Sequence, residues 1–206
     1  MKDAIGKMST IEQLKQEIVE ISRSSFENKL FAGTSGNLSI YLKDEGYMLI
    51  TPTSIRYEIM KPEDIVSVKL DGTILEGKYR PSSEWPMHAA IYESCPHVGA
   101  VFHTHSPYAT SFAVTRQTIP LVLIEMRPFL GGEVACARFE KPGTRELGLS
   151  AVEEFIKGKN ACLLANHGVI AVGETLAKAR IRAEYVEDAA TIYHRALQVG
   201  EPILLS

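Results

Sequence analysis

Apolar residues recur at helical spacing near the start of the chain, at Ile11, Leu14, Ile18 and Ile21. Ser9-Thr10-Ile11-Glu12 fits a capping box, so an amphipathic helix is expected over about residues 10–28. The period then changes. Between Gly36 and Lys69 the runs NLSIY, YMLI and IVSVKL are short, β-rich and separated by polar or proline-containing stretches, which predicts strands. Asp71-Gly72 is a turn signal that returns Thr73-Ile74-Leu75 as a hairpin partner.

Helical spacing resumes from Glu84 to Glu93 through Trp85, His88, Ala89 and Tyr92, with Ser83 as the cap and Pro86 tolerated in the first turn. Val98–His103 reads as a buried strand, Tyr108–Val114 as a short helix and Leu121–Ile124 as another strand. Thr144–Lys157 is expected to be helical, carried by Leu147, Leu149, Val152, Phe155 and Ile156. Ala161–Ala165 is an apolar strand that Gly168–Val172 continues after a turn, and Glu174–Val199 has the spacing of a long final helix. The sum is a single α/β domain over residues 1–206, its sheet starting with antiparallel neighbours and covered by helices.

Composition narrows the partners. A 45% hydrophobic content over 206 residues supports a sizeable core, and a net charge of −3 without a long basic run argues against nucleic acid. A stretch of about 18 apolar residues is missing, as is a signal-peptide core, so no membrane association and a cytoplasmic location are expected. Cys95, Cys136 and Cys162 are too scattered for a disulfide framework or a metal clip, and Cys162 within ACLLA reads as core.

Candidate chemistry begins with His103-Thr104-His105 at the end of an apolar strand, where residues two apart project to one side and can hold one ion. Imidazole ligates zinc and related ions, and catalytic sites commonly combine three protein ligands with an open position. The pair alone is a weak signal, because a polar strand end has the same form. His167, after the apolar CLLAN and before Gly168, offers a third ligand, against the plain alternative of a loop histidine bonded to backbone. His88, one helical turn after Glu84, is read as packing or as a neighbour of the ligands, and His97 and His194 as non-catalytic.

Ser82-Ser83-Glu84 opens a helix, so its hydroxyls and N–H groups suit an anion such as phosphate, ordinary capping being the alternative. Glu84 is a candidate general acid/base or metal ligand, against a simple role at the helix dipole. Two more donor-rich turns, Gly33-Thr34-Ser35-Gly36-Asn37 and Thr51-Pro52-Thr53-Ser54, can close around the same anion. A GxSxG elbow and an oriented Cys-His pair are both missing, which sets a nucleophile-based hydrolase aside.

Six blocks in order complete the picture: TSGNLSI at 34–40, TPTSIRYE at 51–58, PSSEW at 81–85, HTHS at 103–106, GTREL at 143–147 and ANHGVI at 165–170. Over roughly residues 10–198 the chain resembles the class II aldolase/epimerase family. That resemblance implies a three-layer α/β/α fold with a central, mainly antiparallel sheet, and a homotetramer with active sites between subunits. It implies zinc on His103, His105 and His167, and Glu84 as a catalytic acid/base that also touches the metal. A phosphate pocket would fall on Gly36, Asn37, Thr53, Ser54, Ser82 and Ser83. The donor set would also accept manganese, iron or cobalt.

The activity implied is cleavage of a small sugar phosphate, L-fuculose 1-phosphate or a similar ketose 1-phosphate, to dihydroxyacetone phosphate and a short aldehyde such as lactaldehyde. Aldolases for 5-deoxyribulose or methylthioribulose 1-phosphate, pentulose-phosphate 4-epimerases and the non-catalytic adducin head share the family. Glutamate at position 84, where the epimerases carry aspartate, points to an aldolase, and the full ligand set disagrees with a non-catalytic domain. Ser54 replaces a glycine of the family's phosphate loop, and Leu121–Met126 lacks the tyrosine that the fuculose enzymes contribute from a neighbouring subunit.

Overall fold

In the computed structural model, which describes residues 2–206 with side chains from Thr10 onward, one sheet organises the chain. Its strands are β1 (Asn37–Leu42), β2 (Tyr47–Ile50), β3 (Val66–Lys69), β4 (Ile74–Glu76), β5 (Ala100–Thr104), β6 (Cys136–Ala137), β7 (Ala161–Leu164) and β8 (Gly168–Gly173). They lie in the order β4-β3-β2-β1-β5-β8-β7-β6, and every neighbouring pair is antiparallel except β6 with β7. Helices α1 (Lys2–Glu27), α2 (Trp85–Ser94), α3 (Pro107–Thr115), α4 (Met126–Leu130), α5 (Arg145–Phe155) and α6 (Leu176–Val199) cover it on two sides. The result is a three-layer α/β/α arrangement.

Strand alternation divides the interior into two cores. Leu38 and Ile40 of β1, Ala100 and Phe102 of β5, and Val169 and Ala171 of β8 join Ile18 of α1, Phe112 of α3 and Val186 of α6. Val101, Ile170 and Val172 face the other way, with Ile91 of α2 and Ala151 of α5. By the same parity Asn37, Ser39 and His103 lie on the α2 side, where they are buried polar groups in an otherwise apolar layer. No helix among the described residues is long and apolar enough to cross a membrane.

Three expectations are revised. Helix α1 continues back through Ser9-Thr10-Ile11-Glu12 to Lys2, so that segment is helix interior and not its start. Helix α2 begins at Trp85 with Glu84 itself at the N-cap, one residue later than the spacing suggests. Leu121–Ile124 is not a strand: the nearby bridge pairs Ile119 with Val134, and Ile124 is 72% exposed. Leu121, Val122 and Leu123 pack on the edge of a core, so they are apolar without having a sheet edge to join. The short α4 and β6 carry too few residues for periodicity to reveal them.

Helices α2 and α5 pack closely because Gly148 has no side chain. A Cβ there would lie 2.5 Å from the Met87 carbonyl oxygen and 2.8 Å from the Ala90 Cβ. Gly148→Ala therefore gains about 1 kcal/mol of helix propensity but forces the helices apart, an overpacking cost of about 1–3 kcal/mol. A net loss of stability in urea denaturation is expected, and an unchanged or raised midpoint would contradict this packing.

Candidate metal centre

Four segments meet at one end of the sheet. Asn37 of β1 pairs with His103 of β5, and His103 in turn pairs with Ile170 of β8. His105 follows the end of β5, where its N–H donates to the Leu30 carbonyl at 3.1 Å. His167 sits in the β7–β8 turn, made possible by Asn166 at φ 55 and tied to α3 by the Asn166 N–H on the Ala113 carbonyl at 3.0 Å. Gly168 lets the turn press against β5, since a Cβ there would stand 2.2 Å from the Thr104 carbonyl oxygen. Glu84 enters from the start of α2, its N–H held by the Ser82 hydroxyl at 3.3 Å.

One ligand atom from each of Glu84, His103, His105 and His167 falls within 4.8 Å of the others. The Nε2 atoms of His103 and His105 are 2.9 Å apart, the His103 Nε2 is 3.0 Å from Glu84 Oε2, and the His167 Nε2 is 3.3 Å from Glu84 Oε1. His103 Nδ1 lies 2.8 Å from the Val169 carbonyl, which can only accept, so Nδ1 carries a hydrogen and a neutral ring turns the Nε2 lone pair into the cluster. Glu84 Oε1 is buried with no hydrogen-bond partner among the described residues. Converging lone pairs and an unpartnered carboxylate oxygen fit a divalent cation, and three nitrogens with one oxygen suit zinc and its neighbours in the first transition row.

Burial alone would raise the Glu84 carboxyl, but His103, His167 and the Asn37 amide hold it well below the usual carboxylate range. Burial also lowers His105 to about 3, aided by His103 and His167, and lowers His167 to about 4, aided by His103. Burial opposes protonation of His103 as well, yet the Glu84 carboxylate outweighs it and raises that ring. Without a metal, a proton is drawn to the spot a cation would fill.

A cleft of about 340 Å³ opens over this cluster. Gly36, Asn37, Thr53, Ser54, Ser82 and Ser83 line it together with Glu84, His105 and His167, whereas His103 lies beneath with no exposed surface. Two of the donor-rich turns are stitched together, Thr53 N–H to the Arg80 carbonyl at 3.0 Å and Ser82 N–H to the Thr51 carbonyl at 2.9 Å. The third is held by the buried Tyr57, whose hydroxyl donates to the Gly36 carbonyl at 2.6 Å. Ser54 sits at φ 62, a left-handed conformation that costs an ordinary residue about 1–2 kcal/mol and that a glycine adopts without strain.

His97 lies in a separate cleft with Lys43 and Glu174, and His194 lies against Tyr108 with ring centroids 5.4 Å apart and planes tilted by 59°. Sequence reasoning missed Ser39 and Tyr92, which join His88 and Asn37 in a buried hydrogen-bonded chain reaching Glu84. The signal was present: Glu84, His88 and Tyr92 are four apart on one helix face, and Asn37 and Ser39 two apart on one strand face.

Residues 16–194 match the family described as Class II Aldolase and Adducin N-terminal domain. The chain belongs to this family. Among similar proteins, the 5-deoxy-D-ribulose 1-phosphate aldolase of Bacillus thuringiensis serovar kurstaki is 38% identical over 95% of this chain and 91% of its own length. The L-fuculose phosphate aldolase of Escherichia coli K12 is 36% identical over 93% of this chain and 87% of its own. A solved L-fuculose 1-phosphate aldolase superposes with a TM-score of 0.88 at 36% identity, covering 94% of this chain and 91% of that one. This class II aldolase is thus an enzyme of the metal-dependent kind, with a Glu/His cluster suited to the ion.

Burial also lowers His88 to about 3, so three imidazoles stay neutral in the fold at a pH where the unfolded rings, with a pKa near 6.5, take up protons. The unfolded chain then binds more protons, and stability falls as pH drops below 6.5; His103, raised, contributes with the opposite sign but is one ring against three. The melting temperature of metal-free protein is expected to fall between pH 7 and pH 5. A flat or rising profile over that interval would show that the rings are not held neutral.

Proposed function

We propose that this enzyme uses zinc to cleave a ketose 1-phosphate reversibly into dihydroxyacetone phosphate and a short aldehyde. One feature carries the reading: the Glu84 carboxylate touches two imidazoles of a three-histidine cluster and borders a hydroxyl-lined cleft. The cleft hydroxyls of Thr53, Ser54, Ser82 and Ser83 suit a phosphate group, and the Asn37 amide, which carries two hydrogens, gives only one to Glu84. Zinc, when bound, supplies Lewis acidity that stabilises the negative charge developing on the substrate carbonyl. In cleavage the C4 hydroxyl loses its proton as the C3–C4 bond breaks and C4 becomes the aldehyde carbonyl, and the ionised Glu84 takes up that proton and delivers it to C3; condensation runs the same transfers in reverse. In the metal-free fold the neighbouring imidazoles and the Asn37 amide favour the ionised form of Glu84, the form that condensation requires.

Two substrates have support. L-fuculose 1-phosphate, yielding lactaldehyde, follows from the family blocks and from relatives named for that sugar. 5-Deoxy-D-ribulose 1-phosphate, yielding acetaldehyde, is favoured by the 38% identical relative and by an apolar Leu121–Ile124 segment without tyrosine. The same resemblance supports a cytoplasmic homotetramer with active sites between subunits.

Incubation of the zinc-loaded protein with each ketose 1-phosphate is expected to release dihydroxyacetone phosphate, measured by coupled reduction to glycerol 3-phosphate. Glu84→Gln is expected to lower kcat by roughly 10²–10⁴-fold, the span of general acid–base catalysis, and chelation to abolish turnover until zinc returns. No release from any ketose 1-phosphate would overturn the reading. Light scattering should give four times the chain mass; a monomer would remove the intersubunit site.

A further inference from the structure

Behind Glu84 the sheet and α2 enclose a chain of polar groups of which the proposed reaction gives a role to Asn37 alone. The Asn37 Nδ2 donates to Glu84 Oε2 at 2.8 Å, and the Asn37 Oδ1 lies 2.6 Å from His88 Nε2. His88 Nδ1 lies 2.7 Å from the Ser39 hydroxyl, which lies 2.7 Å from the Tyr92 hydroxyl. His88 and Ser39 have no exposed surface, and Asn37 and Tyr92 retain 4% and 3%. An apolar layer had room for aliphatic side chains here, and four polar ones stand in their place.

The direction of every bond follows from one end. An ionised carboxylate only accepts, so the Asn37 amide must turn its NH2 to Glu84 and its oxygen to His88. That oxygen requires a hydrogen on His88 Nε2. A neutral ring then has its lone pair on Nδ1, which accepts from the Ser39 hydroxyl. Ser39 has given its only hydrogen and must accept from Tyr92, whose proton it shares with its own carbonyl at 3.0 Å. All donors point toward Glu84, an arrangement in which successive bonds polarise one another.

We propose that His88 is a positioning residue for Glu84. Acting through the Asn37 amide, it fixes the carboxylate so that Oε2 accepts from Asn37 while Oε1 is the oxygen left to exchange the proton. Oε1 accepts no hydrogen bond among the described residues and faces His167 Nε2 at 3.3 Å, whereas Oε2 accepts from the Asn37 amide at 2.8 Å. If the ring presented Nδ1–H instead, the Asn37 amide would flip and set its oxygen against the carboxylate. The assignment rests on Glu84 as the group that moves the proton, so its test separates the two claims.

The first measurement is independent of turnover: ¹⁵N-correlated NMR of the full-length protein is expected to show His88 as the Nε2–H tautomer. An Nδ1–H tautomer would overturn the inference whether or not the protein is an aldolase. The second uses His88→Phe, which keeps a ring and loses both bonds, and His88→Gln, which keeps a donor toward Asn37. Loss of an outer-shell partner typically costs 10–100-fold, so His88→Phe should lose that much in kcat at full zinc occupancy, with KM little changed. Hydrogen exchange at C3 of dihydroxyacetone phosphate in D2O should slow in parallel, and His88→Gln should recover most of both. Equal kcat per zinc in His88→Phe and wild type, or no recovery with glutamine, would overturn the inference. If His88→Phe does not fold, Tyr92→Phe, which removes the terminal donor, is expected to slow the same exchange several-fold, and an unchanged rate would count against the chain. A wild-type protein that neither cleaves ketose phosphates nor exchanges the C3 hydrogen would instead sink the reaction assignment and leave the tautomer to decide the network.

Discussion

Three imidazole lone pairs and a carboxylate cannot be gathered within 4.8 Å without a positive charge among them. Repulsion between these groups, and the cost of stripping them of water, would otherwise drive them apart. Much of the architecture at this end of the sheet reads as a means of holding them there. The β1–β5–β8 pairing aligns His103, the tight turn before Gly168 brings His167 over the end of β5, and the start of α2 carries Glu84 in from the side. The four groups arrive on three separate parts of the chain, so a rigid sheet, and not any single motif, fixes their mutual distances.

The two faces of that sheet are chemically unequal. The α1/α3/α6 side is filled by Leu38, Phe102, Val169 and their neighbours, whereas the α2 side admits Asn37, Ser39, His88 and His103 among its aliphatic residues. Buried polar groups of this kind are tolerated only when their bonds are complete. Here the Tyr92-to-Glu84 chain supplies partners for each side chain, and the carboxylate at its end draws the donors into one direction.

Much of this was legible in the residues. Alternating and helical spacing located most strands and helices, because their apolar faces contact a continuous core, and HxH with His167 and Glu84 named four side chains that the fold brings together. Leu121–Ile124 misled because apolarity reports burial and not strand pairing, and here the sheet ends before reaching it. Helix α1 hid its start because a capping-box pattern within a longer helix looks like a boundary. The Asn37–His88 contact was invisible since the two residues are 51 apart in sequence and meet only through strand pairing and helix packing. Its trace, the four-residue spacing of Glu84, His88 and Tyr92, resembles an ordinary buried helix face.

The register of β1 against β5 sets Asn37 opposite His103. Side chains alternate with a period of two, so a slip by one residue would send Asn37 and Ser39 into the apolar core on the far side and bring Leu38 and Ile40 against α2. Hydrophobic patterning thereby enforces the chemistry: the greasy residues that refuse to change sides also hold the polar ones in theirs. The loops around the cleft are then at liberty to diverge and choose among aldehydes, while the alignment that readies the carboxylate is written into the core itself.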